Sequence, residues 1–579
     1  MTAKTINAAV KMVEVLSDWG IDHIYGIPGG SFNSTMDALF QKKDKVKYIQ
    51  VRHEEVGAIA AAADSKLTGK IGVVFGSAGP GGTHLMNGLY DAMCDHVPVL
   101  ALIGQTPASQ MNRYAFQEIN ENPIYADVSV YNRVVMTPEQ LPIVVDNAIK
   151  EAYAKKGVAV VTIPVDYGQV EISDVFVSSA HTHKISVLLP KEVDIDAALV
   201  LLAQAKKPYL YIGQGISGAR EVVKQFSEQF SIPVGASVLA KGVFPDEHEN
   251  FMGMSGRVAW KTGNEASIEA DLIIFVGSDF PFAENFFNPK AKFIQIDIDS
   301  AKFGRRHSVD VAILGDAKLT LQRMIEKGES RTKDEWLEAN RENKKNWWNW
   351  RHSFDYREGK NGLLRVEPIY AEISRIADDE AIFVVDVGNV TLNSVRHLEM
   401  RASQKFTTSG WFATMGYGIP GGIAAKLSYP DRQVFTLSGD GGFAMMLMGL
   451  ITQAQYRLPI INIVQTNRSF GFIEGEQEDT GQSKFGVFLD DVDFATVASG
   501  MGIESYTVRS INELRQAMDA AKKIKDLPIV IDVKVDDSRP LPVENLKLDP
   551  KRYSEEEIVK FKERYEARDL LSLKELLKG

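Results

Sequence analysis

An aspartate set among glycines, Leu437-Ser438-Gly439-Asp440-Gly441-Gly442, is followed by Asn467, with 25 residues between Gly441 and that asparagine. Gln433 to Leu437 is apolar and β-branched enough for a buried strand, and Pro459 to Val464 reads the same way. Phe443 to Tyr456 between them is rich in Met, Leu, Ala and Gln, which favour helix. A strand-helix-strand crossover makes the two strands parallel and brings their carboxyl ends to one edge of the sheet. Open α/β sheets bind ligands at that edge, so Asp440 and Asn467 are expected side by side in a binding crevice. A carboxylate and an amide oxygen, with glycines that admit a close backbone, suit Mg²⁺ holding a diphosphate.

The rest of the chain must position this pair. At 579 residues it is too long for one core, and three or four domains are expected. Hydrophobic content of 45% and charged content of 24% are ordinary for a soluble globular protein. Lys and Arg number 65 against 76 Asp and Glu, a net charge of −11 with no basic stretch, which argues against a nucleic-acid partner. One cysteine, Cys94, excludes an internal disulfide framework and a thiolate metal cluster. The amino terminus reads as no signal peptide and no 18-residue apolar run occurs, so a cytoplasmic enzyme without membrane insertion is expected.

Compact apolar runs recur between helical patterns. Val46–Val51, Ile71–Phe75, Val99–Ile103 and Val158–Ile163 read as strands of a first section, after an amphipathic helix over Thr5–Trp19. Residues 168–192 read as a linker. Tyr209–Ile212, Leu272–Val276 and Phe293–Ile298 are strands of a second section, and Ile382–Val385, Val434–Leu437, Ile460–Val464 and Ile529–Val533 of a third. Trp336–Trp350 holds four of the seven tryptophans and reads as a helical connector over a domain junction. The expected fold class is α/β, with three doubly wound parallel-sheet domains: 1–185, 186–335 and 336–535, then a tail over 536–579 with a helix opened by Ser554 and Glu557.

The Asp440–Asn467 pattern resembles the fingerprint of thiamine-diphosphate enzymes. The resemblance implies that Asp440, Asn467 and the backbone carbonyl of Ser469 hold Mg²⁺. Thr466-Asn467 stands where the family has Asn-Asn, and the second position is the ligand. Arg52-His53-Glu54 resembles the family motif whose Glu binds the cofactor's pyrimidine and favours the tautomer that starts the chemistry; without that context, Glu54 in a first helical turn would only complement the dipole. Met415 corresponds to the wedge that bends the cofactor, and the carbonyl of Ala413 to the group that holds its amine. Gly388 and Asn389 end a strand and would offer amides to the diphosphate, together with Gly441 and Gly442. The resemblance places Glu54 and Asp440 of one site on different subunits, in a homotetramer built as a dimer of dimers.

Gly213-x-Gly215-x-x-Gly218 follows a strand, but the acidic residue of a dinucleotide site, expected about 20 positions on, is missing. The segments around Gly213, Gly215, Ser255, Arg257, Gly277, Asp297 and Asp316 resemble instead the FAD loops of the flavin-containing branch. Ala115-Phe116-Gln117-Glu118 and Gly471-Phe472-Ile473 with Glu476 resemble phosphate-dependent pyruvate oxidases of the lactic-acid-bacterial type. That likeness implies Glu54, Phe116, Gln117, Phe472, Glu476, His84 and Ser31 as catalytic-site residues. It also implies pyruvate, inorganic phosphate and O₂ as substrates, with acetyl phosphate, CO₂ and H₂O₂ as products. A desolvated, protonated Glu476 is expected to help admit phosphate. The competing readings are an acetolactate synthase-like carboligase and a quinone-dependent pyruvate dehydrogenase that docks through its amphipathic tail.

Overall fold

Valine- and isoleucine-rich runs such as Val158–Pro164 and Ile460–Thr466 are buried along their whole length. Both faces of their sheets are covered, so these strands read as continuous apolar runs rather than as alternations. The computed structural model describes residues 4–401 and 403–541, with 554–556 and 559. Glu557 and Leu570–Leu577 of the expected tail helix lie outside the described residues.

Three six-stranded sheets carry the chain, each wholly parallel in its pairing. The first holds His23–Gly26, Lys47–Gln50, Gly72–Gly76, Val99–Gln105, Ser129–Val134 and Val158–Pro164. The third holds Ile382–Val385, Lys405–Thr407, Val434–Gly439, Ile460–Thr466, Glu504–Val508 and Ile529–Lys534. Counting strands by their order along the chain within each sheet, both are arranged 2-1-3-4-6-5. The middle sheet, Pro208–Ile212, Val234–Ala236, Phe251–Met254, Leu272–Val276, Lys292–Asp297 and Val311–Leu314, is arranged 3-2-1-4-5-6. The three domains are therefore doubly wound α/β layers. Each has a switch point where strand order reverses: between first and third strands in the outer domains, and between first and fourth in the middle one.

Small residues dock the outer domains on each other. The helix Glu54–Thr68 carries Ala58 and Ala60 to Ala63, all fully buried, in one apolar cluster with Ile423, Ala424 and Ala425 of the helix Gly418–Ser428. A Cβ on Gly421 would sit 3.6 Å from the Ala63 Cβ. The tryptophan-bearing helix, Glu335–His352, buries Trp347 in the middle-domain core beside Val395 of the third domain.

Local departures from the expected elements have packing causes. Thr5–Asn7 is a strand that pairs antiparallel with Glu171–Ser173, inside the stretch read as linker, and the helix runs only over Ala8–Asp18. The Asn7 side chain caps that helix by accepting from the amides of Ala9 and Val10 at 3.1 and 3.4 Å. The single helix expected over Phe443–Tyr456 is two, Asp440–Met445 and Gly449–Gln455. The chain turns between them, and Gly449 then lies so near Ile419 that a Cβ would approach its Cγ2 to 2.6 Å. Among the described residues no helix is long and apolar enough to cross a membrane.

Candidate active site

Asp440 follows the third strand of the last sheet, Asp386 the neighbouring first strand, and Asn467 the fourth. The first two flank the switch point. Asp440 is buried; its Oδ1 accepts from the Gly441 amide at 2.9 Å and its Oδ2 from the Arg468 amide at 2.6 Å. Burial pushes its carboxyl up to about 6, against the pull of those two amides. Asn467 Oδ1 accepts from the Ser469 amide at 3.2 Å. Asn467 and Asn389 converge on Gly471, where a Cβ would lie 2.8 and 2.5 Å from their Nδ2 atoms. Met415 reaches the same floor, its Cε 3.4 Å from a Cβ built on Gly441, and Ala413 before it is held at φ +58. Oxygen donors on a buried carboxylate and an amide fit a hard divalent cation.

A cavity of about 1450 Å³ joins this edge to the middle domain. Gly388, Asn389, Ala413, Met415 and Ser469 line it with Asp440, Gly441, Gly442 and Asn467. From the middle domain come Gly215, Ser255, Arg257, Gly277, Asp297 and Asp316. Gly213 supports this wall from behind, since a Cβ there would meet the Gly277 carbonyl at 2.3 Å. Gly215 and Gly277 pack backbone to backbone, with Gly277 at φ +57, so a Cβ at either would come within 2.8 Å of the other's Cα. Asp297 is buried, and burial raises its carboxyl. Two of these residues also have plain structural duties. Asp316 caps the helix Ala317–Lys327 through the Leu319 amide at 3.0 Å, and Ser255 Oγ donates to the Gly263 carbonyl at 3.0 Å. A long crevice with glycine-lined backbone at a switch point fits a dinucleotide.

Arg257 links the two halves. Its guanidinium lies 4.8 Å from the Phe472 ring centroid and pairs with Glu476 at 2.6 Å. The Glu476 side chain is 38% exposed, so it is neither desolvated nor unpaired, contrary to the sequence-based expectation. That expectation lacked the cation, which comes from another domain.

A second cluster forms at the switch point of the first sheet. Glu54 opens its helix and is buried, with Oε2 2.9 Å from His84 Nδ1; the His84 and His53 rings stack at 4.4 Å. Ser31 Oγ accepts from the Ala78 amide at 2.7 Å and lies 2.8 Å from Ser77 Oγ. Gln117, held at φ +63, lies with its carbonyl 2.9 Å from a Cβ built on Gly79. Phe116 beside it is 88% exposed. None of Glu54, His84, Ser31, Phe116 or Gln117 lines the large cavity. Within one chain the candidate residues thus fall into two groups.

Asp386 emerges only in three dimensions. It is buried, and its Oδ1 accepts from the amides of Val387, Gly416 and Tyr417 at 2.8, 2.8 and 3.2 Å. That bond set fixes the peptide just after Met415. The available sequence signal was an aspartate directly after a strand, the same placement as Asp440. The Lys66 side chain is 4% exposed; it pairs with Asp91 and Asp95 at 2.7 and 2.6 Å. These aspartates accept from Ser409 and from the amides of Gly410 and Trp411, so the first domain grips the loop leading to Met415.

Comparison with known proteins agrees with this anatomy. Residues 6–124 match the thiamine pyrophosphate enzyme N-terminal TPP binding domain, 195–324 the central domain, and 386–533 the C-terminal TPP binding domain. The chain is 48% identical to pyruvate oxidase of Lactiplantibacillus plantarum, covering 99% of this chain and 96% of that protein. It is 39% identical to a putative thiamine pyrophosphate-containing protein of Bacillus subtilis, covering 94% and 93%. It is 31% identical to the acetolactate synthase large subunit of Corynebacterium glutamicum, covering 91% and 86%. Matched by all three domain descriptions and aligned almost end to end with such relatives, the chain belongs to the thiamine pyrophosphate enzyme family.

Proposed function

We propose that this protein is a pyruvate oxidase: pyruvate, inorganic phosphate and O₂ go in, and acetyl phosphate, CO₂ and H₂O₂ come out. The observation that carries this reading is the 48% identity to a pyruvate oxidase over 99% of the chain, against 31% for an acetolactate synthase large subunit. The contact of Arg257 with Phe472 and Glu476 supports it, because it brings a residue of the dinucleotide crevice to the residues proposed to face substrate.

When bound, thiamine diphosphate supplies an acidic ring carbon and an electron sink for decarboxylation, and FAD takes up the two electrons released. Asp440, Asn467 and the Ser469 carbonyl would hold Mg²⁺, with Gly388, Asn389, Gly441 and Gly442 around the diphosphate. Glu54 would hold a proton at the pyrimidine, oriented by its bond to His84. Met415, fixed through Asp386, would keep the cofactor bent, with the Ala413 carbonyl on its amine. Gly213, Gly215, Ser255, Gly277, Asp297 and Asp316 would surround the flavin nucleotide. Phe116, Gln117, Phe472 and Ser31 would enclose pyruvate and exclude water. Arg257 pairs with Glu476, so phosphate would be received beside the guanidinium.

Glu54 and Asp440 would meet only across two chains, in a homotetramer made of two such dimers, within the cytoplasm. Phe116 at 88% exposed is a large apolar surface that a second copy would cover. The test is to mix pyruvate anaerobically with enzyme loaded with thiamine diphosphate, Mg²⁺ and FAD. Bleaching of the flavin within turnover time is expected; acetolactate formation with the flavin left oxidised would overturn the proposal.

A further inference from the structure

The helix Gly471–Asp479 carries Phe472 and Glu476, yet none of its nine residues is buried. A helix this short without an apolar face does not hold its own shape in water. Its contacts are charged instead. Glu474 accepts from Lys484 at 2.9 Å and from Ser469 Oγ at 2.6 Å. Glu476 pairs with Arg257, and Glu478 with Lys484 at 3.2 Å. Arg539 then spans the end of the helix, donating to Glu478 at 2.7 Å, to Asp479 at 2.5 Å and to the Gly475 carbonyl at 3.4 Å.

Arg539 belongs to a segment, 536–541, that is tied down along its length. The Asp536 amide donates to the Leu364 carbonyl at 2.7 Å, and its carboxylate accepts from the Lys360 amide at 3.0 Å. Arg365 donates to Ser538 Oγ at 3.1 Å. Leu541 is fully buried, and its carbonyl accepts from Arg396 at 2.7 Å. Arg396 also donates to the carbonyls of Arg257 and Ala259 at 3.0 and 3.2 Å. One buried arginine thus fixes the backbone of both cationic clamps, directly at Arg257 and two residues away at Arg539. Ser538 and Pro540 line the large cavity.

We propose that 536–541 is a strap that sets the pose of the helix bearing Phe472 and Glu476, with Arg539 as its positioning residue. This rests on the reading that those two side chains face pyruvate. The strap acts on substrate handling and leaves cofactor loading alone, because Arg539 touches the far end of the helix from Asn467 and Ser469.

The test uses the full chain loaded with thiamine diphosphate, Mg²⁺ and FAD, as wild type, Arg539→Gln, Arg539→Lys and the double variant Glu478→Gln/Asp479→Asn. Three quantities are read: the pyruvate concentration giving half-maximal anaerobic flavin reduction, amide hydrogen exchange over residues 471–479, and the calorimetric affinity for thiamine diphosphate. For Arg539→Gln we expect about a tenfold rise in that concentration and about tenfold faster exchange, with thiamine diphosphate affinity unchanged. Arg539→Lys should recover part of both, and the double variant should reproduce Arg539→Gln from the other side of the contact. Combining it with Arg539→Gln should add little. Wild-type exchange and half-saturation in Arg539→Gln would overturn the strap, as would an equal loss of cofactor affinity. Wild-type flavin left oxidised by pyruvate would sink the oxidase reading alone, and the exchange arm would still decide the strap.

Discussion

Glu54 and Asp440 are both buried carboxyls at the carboxyl edge of a parallel sheet, but their surroundings suit them to different work. Asp440 is met by backbone amides and shares its floor with Asn467 and Asn389, a setting for metal and phosphate. Glu54 is met by an imidazole, a setting for moving a proton. The two should fail differently. Glu54→Gln is expected to keep calorimetric binding of thiamine diphosphate with Mg²⁺ while kcat falls roughly 10²–10⁴-fold. Asp440→Asn is expected to weaken that binding by more than about 100-fold. Identical losses in both variants would show that the roles are not divided this way. Asp440 and Asn467 were legible in the sequence because strand ends and local spacing bring them to one sheet edge, whereas Glu54 was picked out only by its likeness to the family motif. Asp386, Lys66 and the Arg257–Glu476 pair were not legible, because their partners lie on other strands or other domains. For Glu476 this mattered most: the carboxylate was read without the cation that pairs with it.

At the scale of elements, long buried strands were legible and short ones were not. Val158–Pro164 and Ile460–Thr466 stand out as apolar runs, whereas Lys405–Thr407 is a three-residue strand defined by its pairing with Ile382–Val384. The short helix Glu121–Ile124, after the loop bearing Phe116 and Gln117, poses a separate problem. Glu121 is buried, and neither carboxylate oxygen accepts a hydrogen bond of ordinary geometry, although Thr162 lies beside it; the Tyr125 hydroxyl is likewise unpartnered. Burial pushes the Glu121 carboxyl up to about 8, from an ordinary value of 4.5. The folded chain therefore keeps this proton up to about pH 8, while the unfolded chain releases it near 4.5. Between those values the unfolded state binds fewer protons, so stability falls as pH rises. Glu121→Gln should flatten that slope: the loss of Tm between about pH 6 and 8 should be smaller than in wild type. An unchanged slope in thermal melts over that range would remove Glu121 as its source.

The whole molecule repeats one solution three times, a parallel layer with a switch point, and the first and last layers share even their strand order. Composition and periodicity made the three-layer class legible. They said nothing of how helices Glu54–Thr68 and Gly418–Ser428 would interlock, since that depends on small residues far apart in the chain. Glu54 does not line the large cavity of its own chain, which is what the proposed two-chain site requires. Mixing unfolded Glu54→Gln and Asp440→Asn chains and refolding them together tests this. Each variant alone is expected to be nearly inactive. Random pairing makes about half the dimers hybrids, each with one intact site, so about a quarter of wild-type activity should return. No recovery on mixing would place both carboxyls in one chain's site. The central claim is most directly tested by oxygen uptake in enzyme loaded with thiamine diphosphate, Mg²⁺ and FAD. Pyruvate with phosphate should consume O₂ and yield acetyl phosphate and H₂O₂ in equal amounts, with uptake falling sharply when phosphate is left out. Pyruvate consumed without O₂ uptake, with acetolactate as product, would contradict the account.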